Sequence, residues 1–125
     1  MIPAGLEYVF SNDGSYLLSG VQPYVTMPYA ATITGASLVG SPSGTITVDI
    51  WRCNYAQFDG GVTHPVVGDS ICGSNQLSIS SGTKTTSNLS GWVISLNQGD
   101  ILAFNISNVS GLTQATISLC LTRIL

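Results

Sequence analysis

Over residues 44–53 the side chains alternate without a break: Ile46, Val48 and Ile50 on one side, Thr45, Thr47 and Asp49 on the other. An extended strand puts every second side chain on the same face, so this period of two predicts a strand with one buried face. Trp51 falls on the polar side, where its ring would cover a sheet edge or a subunit contact. The pattern recurs over residues 101–106, where Leu102, Phe104 and Ile106 oppose Ala103 and Asn105. It recurs again over 115–123, with Ala115, Ile117, Leu119 and Leu121 against Thr116, Ser118, Cys120 and Thr122. Trp92, Ile94 and Leu96 repeat it, and shorter candidates lie at 6–10, 16–18, 24–27, 31–37 and 77–80.

Between these runs stand turn formers: Asp13-Gly14, Ser41-Pro42-Ser43-Gly44, Asp59-Gly60-Gly61, Ser81-Gly82, Asn97-Gln98-Gly99-Asp100 and Ser110-Gly111. Their Gly, Pro, Asn and Asp residues supply the backbone angles that tight turns demand. Glu, Lys and Arg, which favour helices, are scarce, while Ser, Thr, Gly, Val and Ile dominate. Short strands with regular turns predict an all-β chain, an antiparallel β-sandwich of jelly-roll type with about eight strands. At 125 residues there is room for one domain. The expected division is an N-terminal arm or first strands over residues 1–20 and a β-sandwich over 21–125.

Charge sets the next constraint. Asp, Glu, Lys and Arg make up 7% of the chain, against roughly 25% in ordinary soluble domains. Hydrophobic residues make up 44%, so Ser and Thr supply most of the polarity. A molecule with few surface ions is poorly defended against association, so much of its surface is expected to be covered by copies of itself or by a larger assembly. The bases Arg52, Lys84 and Arg123 are far apart in sequence, and the net charge is −3. Phosphate binding needs clustered Lys and Arg, so nucleic acid is not an expected partner. No stretch approaches the ~20 apolar residues of a membrane helix. Residues 1–5 lack the basic start and apolar run of a secretory signal, so none is expected.

Candidate chemistry is sparse. His64 is the single histidine, Pro65 follows it, and no Gly-x-Ser-x-Gly turn exists, so a Ser-His-Asp centre is not expected and His64 reads as an exposed loop residue. Cys53, His64 and Cys72 lack the close pairing of a zinc site, and no Asp-rich calcium loop is present. Cys120 reads as a small buried apolar residue; Cys53 and Cys72 are placed to pair across a loop, an uncommon arrangement in proteins made in the cytosol. Asp49 stands in mid-strand and is expected to pair with Arg52 or Arg123, or to sit at a subunit contact, rather than to act as a catalytic acid. Asp13, Asp59 and Asp100 neighbour glycines and read as turn residues. No phosphate cradle or cofactor motif is present. The long irregular stretch 54–70 is flanked or occupied by Trp51, Tyr55, Phe58 and His64, which makes it the candidate ligand or interface loop. Core packing or subunit contact is the plainer reading of those aromatics.

Residues 32–35 (Thr-Ile-Thr-Gly), 43–51 (Ser-Gly-Thr-Ile-Thr-Val-Asp-Ile-Trp), Tyr55, Phe58, 69–71 (Asp-Ser-Ile), 89–92 (Leu-Ser-Gly-Trp) and 99–105 (Gly-Asp-Ile-Leu-Ala-Phe-Asn) together resemble a β-sandwich domain of tailed-bacteriophage virion structural proteins. The resemblance covers about three quarters of the chain, and the Val-Asp-Ile-Trp and Gly-Asp-Ile-Leu elements carry most of it. It implies a non-enzymatic virion protein, made in the cytoplasm of a bacterial host. In such phage proteins the domain is often appended to a longer chain; here no stalk or attachment module accompanies it, which favours a small add-on protein of the capsid. The first reading is thus a capsid decoration or cement protein, a homotrimer that clamps the phage major capsid protein. Leu6, Tyr8, Val9 and Phe10 are then its capsid-docking residues. The alternative is a receptor-binding or carbohydrate-binding domain at a tail fibre or tailspike tip, with a host glycan held by the 54–70 loop. A hydrolase using His64 and Asp49 is a distant third.

Overall fold

A computed structural model describes residues 2–21, 24–60 and 62–124. Among them the strands are β1 (Ile2–Ser11), β2 (Gly20–Val21), β3 (Val25–Thr26), β4 (Ala31–Cys53), β5 (Leu77–Ser87), β6 (Ser95–Leu96) and β7 (Ile101–Arg123). Two single 3-10 turns, Tyr55–Gln57 and Val67–Asp69, are the remaining regular elements among the described residues, which include no helix long and apolar enough to cross a membrane. All pairings are antiparallel and belong to one sheet, ordered β1-β7-β4-β5 along its main path, with β2 and β3 on β7 and β6 on β4. The chain is therefore all-β, as its alternation predicts.

The strands are fewer and longer than expected. β4 fuses the runs at 31–37 and 44–53, and β7 fuses those at 101–106 and 115–123. Residues 16–18 are not a strand, and the run at 92–96 contributes only Ser95–Leu96. Ser41-Pro42-Ser43-Gly44, Ser81-Gly82 and Ser110-Gly111 do not reverse the chain. They align across the sheet instead: Pro42 lies opposite Leu112, Thr45 opposite Ser110, and Gly44 opposite Gly82. Register shifts on both flanks of β4 fall along this line. Pro42 has no N–H to give the ladder, and Gly111 holds φ +83°, a backbone state that glycine tolerates best. Gly44 passes so close to Ser110 that a Cβ there would overlap the Ser110 carbonyl oxygen. The line is a crease.

Ring contacts measure the fold across it. Phe10 pairs with Ala115 of β7, eleven positions beyond Phe104 on the same strand. At ~3.3 Å per residue a straight strand would hold Phe104 about 36 Å from that point. The Phe10 and Phe104 rings are 6.0 Å apart, and the Tyr8 and Phe104 rings 5.5 Å. The sheet doubles back, forming two wings. One wing holds β1, residues 112–123 of β7, 31–41 of β4 and the end of β5. The other holds residues 101–110 of β7, 44–53 of β4, β2, β3 and the start of β5. Between them lie Phe10, Leu38, Ile46, Val48, Ile50, Phe104, Ile106, Ile117 and Leu119, all buried. Ile46, Val48 and Ile50 of β4, and Leu102, Phe104, Ile106, Ala115, Ile117, Leu119 and Leu121 of β7, are buried, as the alternation assigned.

Candidate functional site

The first wing has an outward face that register defines row by row. Val9, Thr116, Val39 and Lys84 form one row; Glu7, Ser118, Ser37 and Thr86 the next; Gly5, Cys120 and Gly35 a third; Pro3, Thr122 and Thr32 a fourth. Among these residues charge appears only at the two margins, Glu7 on β1 and Lys84 on β5, and the middle is Ser, Thr, Gly, Val and Cys. Val9 and Val39 are 50% and 49% exposed in the same row. A hollow of about 490 Å³ opens beside Lys84, bounded by Ser37, Val39 and Thr86. Cys120, expected to be buried, is exposed on this face because its parity is opposite to that of Leu119 and Leu121. Of the four docking residues assigned from sequence, Phe10 is buried, Leu6 and Tyr8 are partly buried against the core, and Val9 alone faces outward. They belong to β1, an edge strand paired along its whole length with β7.

At the far end of the second wing the long loop closes over the outer face of β4. Asp49 is 3% exposed there and has no cationic partner among the described residues. It accepts from the backbone N–H of Ile50 at 2.9 Å, the indole N–H of Trp51 at 3.0 Å, the hydroxyl of Ser70 at 2.7 Å and the amide of Gln76 at 3.4 Å. The expected pairing with Arg52 or Arg123 is therefore corrected. Arg52 lies on the other face of the strand, where Nη1 donates to the Ser95 carbonyl at 2.8 Å and stands 3.8 Å from Asp100. Arg123 lies over the Tyr29 ring. A buried carboxylate must be compensated by a cation or by hydrogen-bond donors, and here four neutral donors do so.

Ser70 also accepts from the backbone N–H groups of Cys72 and Gly73. Cys72 is fully buried beside Asp49; burial first, and the neighbouring carboxylate after it, push its thiol up to about 12. Burial raises the Cys53 thiol as well. Both cysteines are free.

Within the loop, Asp59 accepts the Thr63 hydroxyl and the backbone N–H groups of Thr63 and His64, and these bonds, the hydroxyl foremost, hold its carboxyl down at about 2. His64 is half-buried and held rather than free: its Nδ1 lies 3.0 Å from Asp69 Oδ2. Among the described residues no serine or cysteine bonds to the imidazole, and no three His, Cys, Asp or Glu side chains gather as a metal site. Phe58 packs edge-on against Tyr24, with ring centroids 4.8 Å apart. Tyr55 is 73% exposed, carried on a 3-10 turn capped by reciprocal bonds between Asn54 and Gln57.

The four loop residues assigned from sequence thus divide. Trp51 is tied to Asp49, Phe58 to Tyr24 and His64 to Asp69, and Tyr55 is the most exposed of the four. The residues that sequence reading missed are Asp69, Ser70 and Asp100; a Gly-Asp pair reads locally as a turn, and nothing local shows a carboxylate turned inward. Comparison of the chain with protein-family models, with curated proteins and with solved structures finds no match.

Proposed function

We propose that this chain is a non-enzymatic structural protein of a tailed-phage virion, a capsid decoration or cement protein that assembles as a homotrimer and binds the major capsid protein. The creased sheet is then a jelly-roll-like sandwich, its two wings serving as the two layers. One observation carries the assembly reading: the outward face of the first wing is almost free of charge and exposes Val9 and Val39 in a single row. A face with few ions to desolvate is easy for a partner to cover. Its margins are complementary, Glu7 at one edge and Lys84 at the other. In a cyclic assembly each copy offers one edge to the opposite edge of the next, so unlike charges at the two margins suit a closed ring. The phage assignment comes from the sequence resemblance.

Decoration works by mass action. A protein that binds the assembled lattice, and not its dissociated subunits, stabilises that lattice according to its concentration and affinity. No reaction is required.

Two measurements test this. Sedimentation of the purified chain should give three times the 13.0 kDa subunit mass. Imaging of particles carrying the protein should place hundreds of copies on the shell. A monomer at high concentration with no affinity for shells overturns the proposal, as does a handful of copies confined to the tail.

A further inference from the structure

The inward row Ile46, Val48, Ile50 of β4 runs on to Arg52, and there the apolar core gives way to a polar groove of about 340 Å³. Arg52, Asn54, Gln57, Asp69, Asn97 and Asp100 supply its polar lining. We propose that this groove binds one ring of a neutral, hydroxyl-rich ligand, a sugar unit of a glycan. Asp100 and Asp69 accept from its hydroxyls and Arg52 donates to its oxygens.

Asp100 carries the argument. It is 3% exposed and lines the groove. Its Oδ2 accepts the Asn97 N–H at 2.8 Å and faces Arg52 Nη1 at 3.8 Å. Among the described residues no donor reaches Oδ1, yet no buried side-chain oxygen is left without a partner. Asp100 lines the groove, and Oδ1 is the oxygen of this buried carboxylate that has no donor among the described residues, so it is the one left to take a hydroxyl from a ligand there. Asp69 repeats the arrangement: Oδ2 takes both His64 Nδ1 and the Val66 N–H, and Oδ1 has no donor among the described residues. Arg52 uses Nη1 on the Ser95 carbonyl and keeps further N–H groups for a ligand.

Charge selects the ligand. An anion would meet two carboxylates, and a cation would meet Arg52 without the cluster of acids that holds a metal. A polyol both donates and accepts, and so satisfies all three groups. The volume sits near the lower end of the roughly 300–1,000 Å³ typical of small-molecule sites, room for one ring rather than a chain. Tyr55, between groove residues Asn54 and Gln57, offers an exposed aromatic face for the C–H side of such a ring.

The test is an NMR titration of the full chain with galactose, glucose and mannose through the millimolar range, with glucose 6-phosphate as the charged counterpart. At least one neutral hexose should give saturable shifts confined to Arg52, Asn97, Asp100 and the Tyr55 turn, and glucose 6-phosphate should bind more weakly than glucose. Asp69→Asn and Tyr55→Ala should each weaken binding by about tenfold, the order expected for one hydrogen bond to a charged group or one stacking contact. Absence of any saturable shift overturns the proposal. So do shifts scattered over the surface, preference for the phosphate, or unchanged binding in both variants. Tyr55 is exposed, and Asp69→Asn keeps a side-chain carbonyl oxygen to take the Val66 N–H, so neither change threatens the fold, and the titration of the unaltered chain needs no variant. A chain that coats a shell and ignores every sugar would dispose of the groove alone and leave the assembly reading intact.

Discussion

The Ser70 hydroxyl donates to Asp49 Oδ1 at 2.7 Å, tying the end of the long loop to the outer face of β4. Its second role, accepting from the Cys72 and Gly73 N–H groups, makes the same oxygen the pivot of the turn into β5. Removing the carboxylate strands several donors in a nearly dry site. Asp49→Ala should therefore destabilise the protein by about 2–4 kcal/mol, and Asp49→Asn, which keeps an acceptor, by less. Denaturant unfolding measures both. Equal, near-zero effects would mean that water replaces the network.

The crease makes a prediction about one atom. A Cβ at Gly44 would overlap the Ser110 carbonyl, whereas one at its cross-strand partner Gly82 would meet Ile79 and Ser80 only at 3.6 and 3.7 Å. Gly44→Ala should cost about 1–3 kcal/mol through forced displacement of the strand. Gly82→Ala should stay within about 0.5 kcal/mol of the parent. Thermal unfolding of the pair separates a steric crease from a merely flexible bend.

The outward face predicts a split between fold and assembly. Val39→Glu places a charge in the middle of that face, opposite Lys84, where the fold itself has no objection. Subunit stability should change by no more than about 0.5 kcal/mol, while the proposed trimer should no longer form. The Cys120 thiol reports on the same event. It should react with alkylating reagents in the dissociated variant and be shielded in the assembled parent, read by mass spectrometry.

Acid should loosen the hold of Asp59 on Thr63 and His64 late. The Asp59 carboxyl is held at about 2, below its ordinary 3.8, chiefly by the Thr63 hydroxyl. A lowered folded value means that its contribution is present above the ordinary value and is lost as pH falls from there through about 2. The carboxyl carbon of Asp59, followed by NMR, should titrate near 2, and Thr63→Ala should move the midpoint upward.

Alkali acts at the opposite side of the pH scale. Burial raises the Cys72 thiol from 9.0 to about 12. A raised folded value favours the fold below the unfolded value and loses that contribution as pH rises from about 9 toward 12. Unfolding free energy should fall over that window, and Cys72→Ala should flatten the fall. Cys53 and Cys72 should resist alkylation at neutral pH until the chain unfolds.

Parity was legible in the sequence. Ile46, Val48 and Ile50, and Ala115, Ile117, Leu119 and Leu121, face the core as their alternation requires, because a strand's faces are set by neighbours two residues apart. The same parity placed Cys120 outside, and the apolar character of its neighbours concealed it. The Asn97–Asp100 turn was also readable, since turn chemistry is local.

The function of the punctuation was not readable. Ser41-Pro42-Ser43-Gly44 and Ser110-Gly111 carry every mark of a reversal, yet β4 and β7 continue through them. Whether such a segment turns the chain or bends it depends on whether three distant strands bring their weak points to one line. Asp49 offers the same lesson for the site: its nearest cation in sequence, Arg52, lies on the opposite face, and its partner Ser70 arrives from across the loop. The amino-acid order by itself determined that this is a β chain with a given inside and outside, because those properties are decided within a few residues. The crease, the neutral cradle of Asp49 and the groove at Asp100 were decided only by tertiary structure, because each is made by groups that the chain separates and the folded sheet brings together.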